Sequence, residues 1–308
     1  MKEKDYINSY IKHMIDMVEY GNSVSYDIVQ ITKKYLDMCR SILDKYKICL
    51  TLKKMKQIKK ELNDLLKSYE DEINVYFNET VTDIIESEKS WLTEIVEKYF
   101  NIKFDFKDNF YKMLLLIPIA NIGSLKEYAE KLSGKVKNIF NSQINQSYVT
   151  GTDFEDIKNG YEQMTNSFEN SIKSDCETVG STLYNQYERI VFTNNNTQVE
   201  YVWVAVLDSR TCIVCGLLDG TRYKNLSDVP VYPQHNRCRC SVIPVNDSIL
   251  KNMPESYSQW FEERSDDEKY KILGRERFKL YENGMKIKAF VNNGKKTPLK
   301  DLNMKKKQ

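Results

Sequence analysis

Neither glycine nor proline occurs from residue 22 to residue 117. These two residues interrupt helices more often than any others, so the stretch is typical of long helices. Apolar residues recur along it at helical spacing, which indicates one buried face. That face comprises Ile58, Leu62, Leu65, Tyr69, Ile73, Tyr76, Val81, Ile85, Leu92, Ile95 and Tyr99. The pattern favours a packed helical hairpin; a projecting coiled coil is the alternative, although the repeat is not a strict heptad.

Further helices are predicted beyond Pro118 and Gly123, where the uninterrupted pattern ends. One runs from Leu125 to Phe140. The next begins at the capping box Thr152-Asp-Phe-Glu155, in which threonine and glutamate cap the first turn reciprocally. This helix ends near the polar run 194–196.

The composition changes after residue 198. The segment Val199–Leu207 is β-branched and aromatic and therefore predicts a strand. Further short strands are predicted at 222–223 and 241–245, and short helices near 255–263 and 266–283. We therefore expect a mainly α fold, in which long helical arms precede a small α+β module with a zinc-clipped β-sheet. The predicted segments are a helical arm region at 1–122, a helical connector at 123–197, the α+β module at 198–285 and a lysine-rich tail at 286–308.

Hydrophobic residues make up 41% of the chain and charged residues 29%, which indicates a folded protein rather than a disordered one. The net charge of +2 is less informative than its distribution. Residues 31–69 are rich in lysine and arginine, whereas residues 70–100 are rich in acids. Two such segments could pair with each other, or each could face a different partner.

Four of the seven cysteines and one of the two histidines lie in one short segment. They are Cys212, Cys215, His235, Cys238 and Cys240. Two half-sites separated by 20 to 25 residues can close a tetrahedron around one zinc ion. We favour Cys212, Cys215 and Cys238 as ligands, with either His235 or Cys240 as the fourth. Gly216 is expected to relieve crowding where the backbone turns towards the sulfurs.

Two disulfides are the alternative for this cluster. The first residues lack the apolar segment of a secretory signal, and Met113–Ala120 is too short to cross a bilayer. We therefore expect synthesis in a reducing cytoplasm, where clustered cysteines more often bind metal. Four arginines, Arg210, Arg222, Arg237 and Arg239, are expected around the cluster. They are either solvated or contacts for phosphate or an acidic partner.

The sequence offers little for catalysis. A metal-dependent nuclease of the HNH type needs a second histidine, and His13 is far away on a predicted helix. Asp219-Gly220 is sufficiently explained as a turn. No phosphate-binding loop or convincing nucleophile–histidine pair is present. We predict that the protein is not an enzyme.

The segment from Trp203 to Pro244 resembles the phage Mu protein F-like family, which includes the SPP1-type head morphogenesis minor capsid proteins. The matching motifs are Asp208-Ser-Arg-Thr-Cys212, Cys215, Leu218-Asp219-Gly220 and His235-Asn-Arg-Cys238-Arg-Cys240. The resemblance covers roughly 190–245 tightly. The family usually has a glutamate after the threonine that ends the preceding helix, whereas this chain has Asn194 after Thr193.

The resemblance implies a low-copy virion protein, made in the host cytoplasm, that docks at the portal inside the head of a tailed phage and acts in head assembly. It also implies an association with packaged DNA and its ejection. Sequence-independent contact with phosphate needs only positive charge. Candidate contacts for DNA or a partner are Lys53, Lys54, Lys56, Lys59, Lys60, Arg237, Arg239, Lys305, Lys306 and Lys307. The alternative function is a metal-dependent nuclease or toxin-like enzyme built on the cluster.

Overall fold

The computed structural model describes residues 1–46, 50–119, 122–152, 158–235, 237–253, 256–292 and 294–305. Long helices precede a small antiparallel sheet and a set of short helices, which confirms the predicted mainly α fold with an α+β module. The helical part consists of α1 (Glu3–Asp44), α2 (Leu52–Trp91), α3 (Lys98–Phe100), α4 (Phe110–Leu116), α5 (Leu125–Thr150) and α6 (Lys158–Asn194). A π-helical turn, Leu92–Glu97, joins α2 to α3.

The long helices pack side by side as a bundle. Helix α1 lies mainly on α6, and α2 packs on both α5 and α1. The predicted apolar stripe of α2 faces this bundle, so the packed arrangement is found rather than a projecting coiled coil. Leu66, Phe77, Ile84 and Val96 add to the buried face, whereas Leu65 is only partly buried. The observed buried residues differ from the predicted ones because the side of a long helix that faces its neighbours rotates slowly around the helix axis.

Three strands form the sheet of the module: β1 (Glu200–Val204), β2 (Arg222–Tyr223) and β3 (Ser241–Val245). Their order is β2-β1-β3, and both pairings are antiparallel. Strand β1 is shorter than the predicted Val199–Leu207. It ends because the Ala205 N–H donates to the Asp219 carboxylate at 2.8 Å rather than to a neighbouring strand.

Short helices surround the sheet. They are α7 (Ile213–Leu218), α8 (Asp247–Lys251), α9 (Tyr257–Glu262), α10 (Asp266–Leu273) and α11 (Arg275–Glu282), together with 3-10 turns at Leu226–Asp228 and Ile287–Phe290. The single helix predicted at 266–283 is thus two helices. Gly274 separates them because its φ of +72° lies in the left-handed region.

The lysine-rich end is folded. Residues 286–305 form the second 3-10 turn, β4 (Val291–Asn292), β5 (Lys295–Lys296) and α12 (Leu299–Lys305). Ile287, Phe290 and Leu302 are buried in a second apolar cluster with Tyr257 and Phe261. Apolar residues placed between the lysines hold residues 286–302 on the module, while the lysines among them are exposed.

Packing also crosses the other predicted boundaries. One continuous buried cluster contains residues from Tyr6 on α1 to Ile249 on α8. The division of the chain into four segments therefore stays a prediction. The predicted capping box at Thr152–Glu155 falls largely outside the described residues. Among the helices that the structure describes, none is long and apolar enough to span a membrane.

Candidate metal centre

The first half-site lies at the start of α7. Cys212 is the N-cap residue, and its sulfur accepts a hydrogen bond from the Cys215 N–H at 3.4 Å. One turn of helix therefore brings the two sulfurs to the same side. Gly216 has a different role from the expected one: a Cβ on it would lie 2.5 Å from atoms of the Tyr257 ring. Its smallness lets α9 pack against the half-site.

The second half-site is a loop held by its backbone. The Cys238 N–H donates to the His235 carbonyl at 3.1 Å, which closes a tight turn. Arg237 has a φ of +61° there, and its N–H donates to the Thr178 hydroxyl at 2.8 Å. The Ser181 hydroxyl donates to the Cys238 carbonyl at 3.1 Å, and the Asn185 amide donates to the Cys240 carbonyl at 3.3 Å.

Sequence reasoning missed these supports on α6. Thr178, Ser181 and Asn185 are buried polar residues, spaced so that they share one face of the helix. A row of small polar residues within an otherwise apolar stripe is the signal that would have indicated a backbone partner. Buried polar groups are normally hydrogen-bonded, so such a row requires one.

The five predicted ligands form two groups of three that share the Cys215 sulfur. Cys212, Cys215 and His235 form one set of donor atoms that lie within 4.8 Å of one another, and Cys215, Cys238 and Cys240 form another. The Cys215 Sγ is 3.8 Å from the Cys238 Sγ and 3.3 Å from the His235 Nε2. Two sulfurs bound tetrahedrally to one zinc ion, each at about 2.3 Å, would be separated by about 3.8 Å. The cluster can therefore hold a metal ion.

Hydrogen bonds among the sulfurs shift their pKa values in opposite directions. The pKa of Cys212 is lowered, first by its hydrogen bond with Cys215. The pKa of Cys238 is lowered, also first by its hydrogen bond with Cys215. The pKa of Cys215 is raised, first by its hydrogen bond with Cys212 and then by those with Cys238 and Cys240. Thiolates are the form of cysteine that binds metal.

The site is small and partly open to solvent. Its cavity has a volume of about 10 Å³, comparable with the minimum that one water or ion needs. Cys215, Cys238 and Cys240 are buried, and Cys212 is partly exposed. Such a small volume suits a structural ion better than a substrate.

The predicted arginine contacts are paired within the chain. Arg239 donates to both oxygens of Asp208, at 2.7 and 2.6 Å. Although burial opposes it, the bonds from Arg239 and Arg210 lower the pKa of Asp208 to about 2. Arg237 pairs with Glu177 at 2.8 Å. Their contact with phosphate or a partner stays a prediction, and any such contact would compete with these acids.

Arg222 does not belong to the ring around the cluster. It pairs with Glu200 and with Asp247 instead. Asp219 is more than a turn residue: its second oxygen accepts the Tyr257 N–H at 3.0 Å. Its carboxylate thus fastens α9 to the end of β1. The sequence did not indicate this role, because an Asp-Gly pair is already explained by a turn.

The remaining predicted residues lie away from the cluster. His13 is buried on α1, stacked on Trp91 and 2.9 Å from Glu88. Lys53, Lys54, Lys56 and Lys60 are exposed near the start of α2. Lys59 is partly buried and donates to Asn145 at 3.1 Å. Lys305 ends α12, and Lys306 and Lys307 lie outside the described residues.

Comparisons with protein-family models, with curated proteins and with solved structures found no match to this chain. The resemblance to the phage Mu protein F-like family therefore rests on the quoted motifs and stays a prediction.

Proposed function

We propose that the cluster binds one structural zinc ion through Cys212, Cys215, Cys238 and either His235 or Cys240. The observation that carries this is the convergence of five nitrogen and sulfur donors around the buried Cys215 sulfur. Zinc prefers such ligands in structural sites. The ion would fix α7 and the 235–240 loop to one point, beside a sheet too small to bury a large core.

Metal content and cobalt substitution test this proposal. Reduced protein is expected to contain one zinc per chain, which Cys212→Ser loses. Of the variants His235→Ala and Cys240→Ser, one is expected to lose the metal and the other to keep it. The absorption of bound Co²⁺ distinguishes four sulfur ligands from three sulfurs and one nitrogen. Metal-free protein with oxidised cysteines would contradict the proposal and support the disulfide alternative.

We further propose that the protein is a minor capsid or head morphogenesis protein of a tailed phage that docks at the portal inside the head. Support comes from the motifs that resemble the phage Mu protein F-like family and from the small volume of the cluster, which suits a rigid platform better than a reaction site. The helical bundle would supply the surface for portal or capsid neighbours.

Virion composition and portal binding test this role. The protein is expected in purified virions at low copy number and in complex with the portal oligomer. A variant with three of the cluster ligands replaced should lose both incorporation into virions and binding to the portal. Lys295→Ala, on the exposed surface, should keep both properties. Absence from virions together with no portal binding would contradict the role without bearing on zinc.

The nuclease alternative makes a distinct prediction. It expects metal-dependent cleavage of nucleic acid that His235→Ala abolishes. Cleavage that survives this substitution, or no cleavage at all, would exclude it.

A further inference from the structure

The outer face of α2 carries exposed side chains that change from basic to acidic along the helix. They follow one another in steps of three or four residues, so they lie on one face. We call this face the α2 stripe. It consists of Lys53, Lys56, Lys60, Asp64, Lys67, Asp71, Val75, Glu79, Asp83 and Glu86, all of them exposed.

Contacts within the chain do not account for this pattern. In the described part of the chain, Lys53, Lys56, Lys60, Glu79 and Glu86 form no ion pair. The first turn of α2 contains no acid. Lys53 lies in that turn, at the positive end of the helix dipole, where a cation is unfavourable. The arrangement therefore costs stability in the isolated chain.

The charges of the α2 stripe are complementary to those of a second, antiparallel α2 stripe. In an antiparallel pair of α2 helices with a twofold axis near residues 69 and 70, Lys53 faces Glu86. In the same register Lys56 faces Asp83 and Lys60 faces Glu79. The twofold axis repeats each pair, so the contact contains six ion pairs over about 50 Å of helix. Asp64, the one acid in the basic half, faces the uncharged Val75.

This complementarity selects one occupant. A DNA duplex would match the basic half of the stripe and would be repelled by the acidic half. A uniformly acidic protein surface would meet the same repulsion. Only a partner whose charge reverses along its length fits the whole stripe, and a second copy of this chain carries that reversal.

We propose that the protein forms a twofold dimer in which the α2 stripes of two copies pack antiparallel. Exposed ion pairs are individually weak and are screened by salt. The dimer is therefore weak, forms at low ionic strength and dissociates as salt is added. This inference does not depend on the proposed zinc site or on the phage role.

Charge reversal tests the register. The variant Lys53→Glu/Lys60→Glu makes the stripe mainly acidic, and Glu79→Lys/Glu86→Lys makes it mainly basic. Sedimentation velocity is measured for the full chain at about 0.05 M and about 0.5 M salt. Each variant alone is expected to bind itself at least about tenfold more weakly than the wild type, because ion pairs become like-charge pairs. The two variants mixed should restore the dimer, since all four altered pairs then attract.

Matched controls separate the register from net charge and from misfolding. Lys295→Glu/Lys296→Glu changes the same charge on the exposed strand β5 and should leave the dimer unchanged. Circular dichroism checks that each variant keeps its helices. A wild type that is monomeric at low salt would overturn the proposal. So would a dimer that both variants retain, or a mixture that stays monomeric.

Discussion

Gly216 directly follows a predicted metal ligand, and the Tyr257 ring occupies the place of its missing side chain. Gly216→Ala must displace this ring or α7, and overpacking of this kind costs about 1 to 3 kcal/mol of unfolding free energy. We expect weaker zinc retention as well, because Cys215 moves with the helix. Urea unfolding and a competition assay with a chelator measure the two effects.

Gly134 provides the control for this substitution. It lies within α5, and a Cβ on it would meet no atom within 4 Å. Gly134→Ala should therefore stabilise the protein by about 0.5 to 1 kcal/mol through helix propensity. A Gly216→Ala variant as stable as the wild type would show that the ring does not press on α7.

Asp219 is a second single residue with a large expected effect. Its two oxygens accept the N–H groups of Ala205 and Tyr257. Asp219→Asn keeps one acceptor and directs an amide donor at the other N–H, which leaves a half-buried donor unsatisfied. We expect a loss of about 1 to 3 kcal/mol in urea unfolding. Asp228→Asn, on an exposed 3-10 turn, is the control and should change stability little.

At the scale of elements, two glycines let α1 and α6 approach each other closely. A Cβ on Gly180 would lie 2.7 Å from the Gly21 Cα, which is backbone and cannot move away alone. Gly180→Ala must therefore separate the helices that position both Glu188 and the supports of the metal loop. We expect a loss of at least about 1 to 3 kcal/mol. Urea unfolding measures it, and wild-type stability would contradict the packing.

For the whole molecule, short-range patterns were predictable and long-range ones were not. The spacing of Cys212 and Cys215 identified the half-site because one helical turn fixes the distance between their sulfurs. The strands at 222–223 and 241–245 were located by their composition. The α6 residues that hold the loop could not be predicted, because their partners lie more than 50 residues away in the chain. For the same reason, the sequence did not distinguish Glu88 from the other acids of residues 70–100, although it is fully buried.

That buried acid belongs to a polar cluster shared by α1, α2 and α6. The Tyr10 hydroxyl donates to Glu188 at 2.9 Å, and Glu88 lies 2.9 Å from the His13 Nε2. Burial raises the pKa of Glu188 to about 8 and raises the pKa of Glu88, which the charge of Glu188 raises further. Burial lowers the pKa of His13 to about 3. His13 is therefore neutral, so its 2.9 Å contact with Glu88 is not an ion pair, and neither side chain forms a well-aligned hydrogen bond there.

These shifts give stability a defined pH dependence. A carboxyl whose folded pKa is raised binds its proton more tightly in the folded chain, so its contribution is complete below the unfolded value near 4.5 and is lost as pH rises towards 8. His13 acts oppositely, and its contribution is lost as pH falls below 6.5. Between pH 6.5 and 8 Glu188 begins to lose its proton in the folded chain, which removes up to about 1.4 kcal/mol of its contribution per pH unit.

The free energy of unfolding should therefore fall by about 1 to 2 kcal/mol from pH 6.5 to pH 8. Glu188→Gln keeps the shape and the hydrogen-bond acceptor for Tyr10 but cannot ionise, so its profile should be flatter by about the contribution of one group. The comparison between wild type and variant removes the pH dependence of any metal bound at the cysteine cluster, because that site is common to both. Parallel profiles would mean that Glu188 is ionised in the folded chain, and the three-helix contact would then have to contain a buried charge.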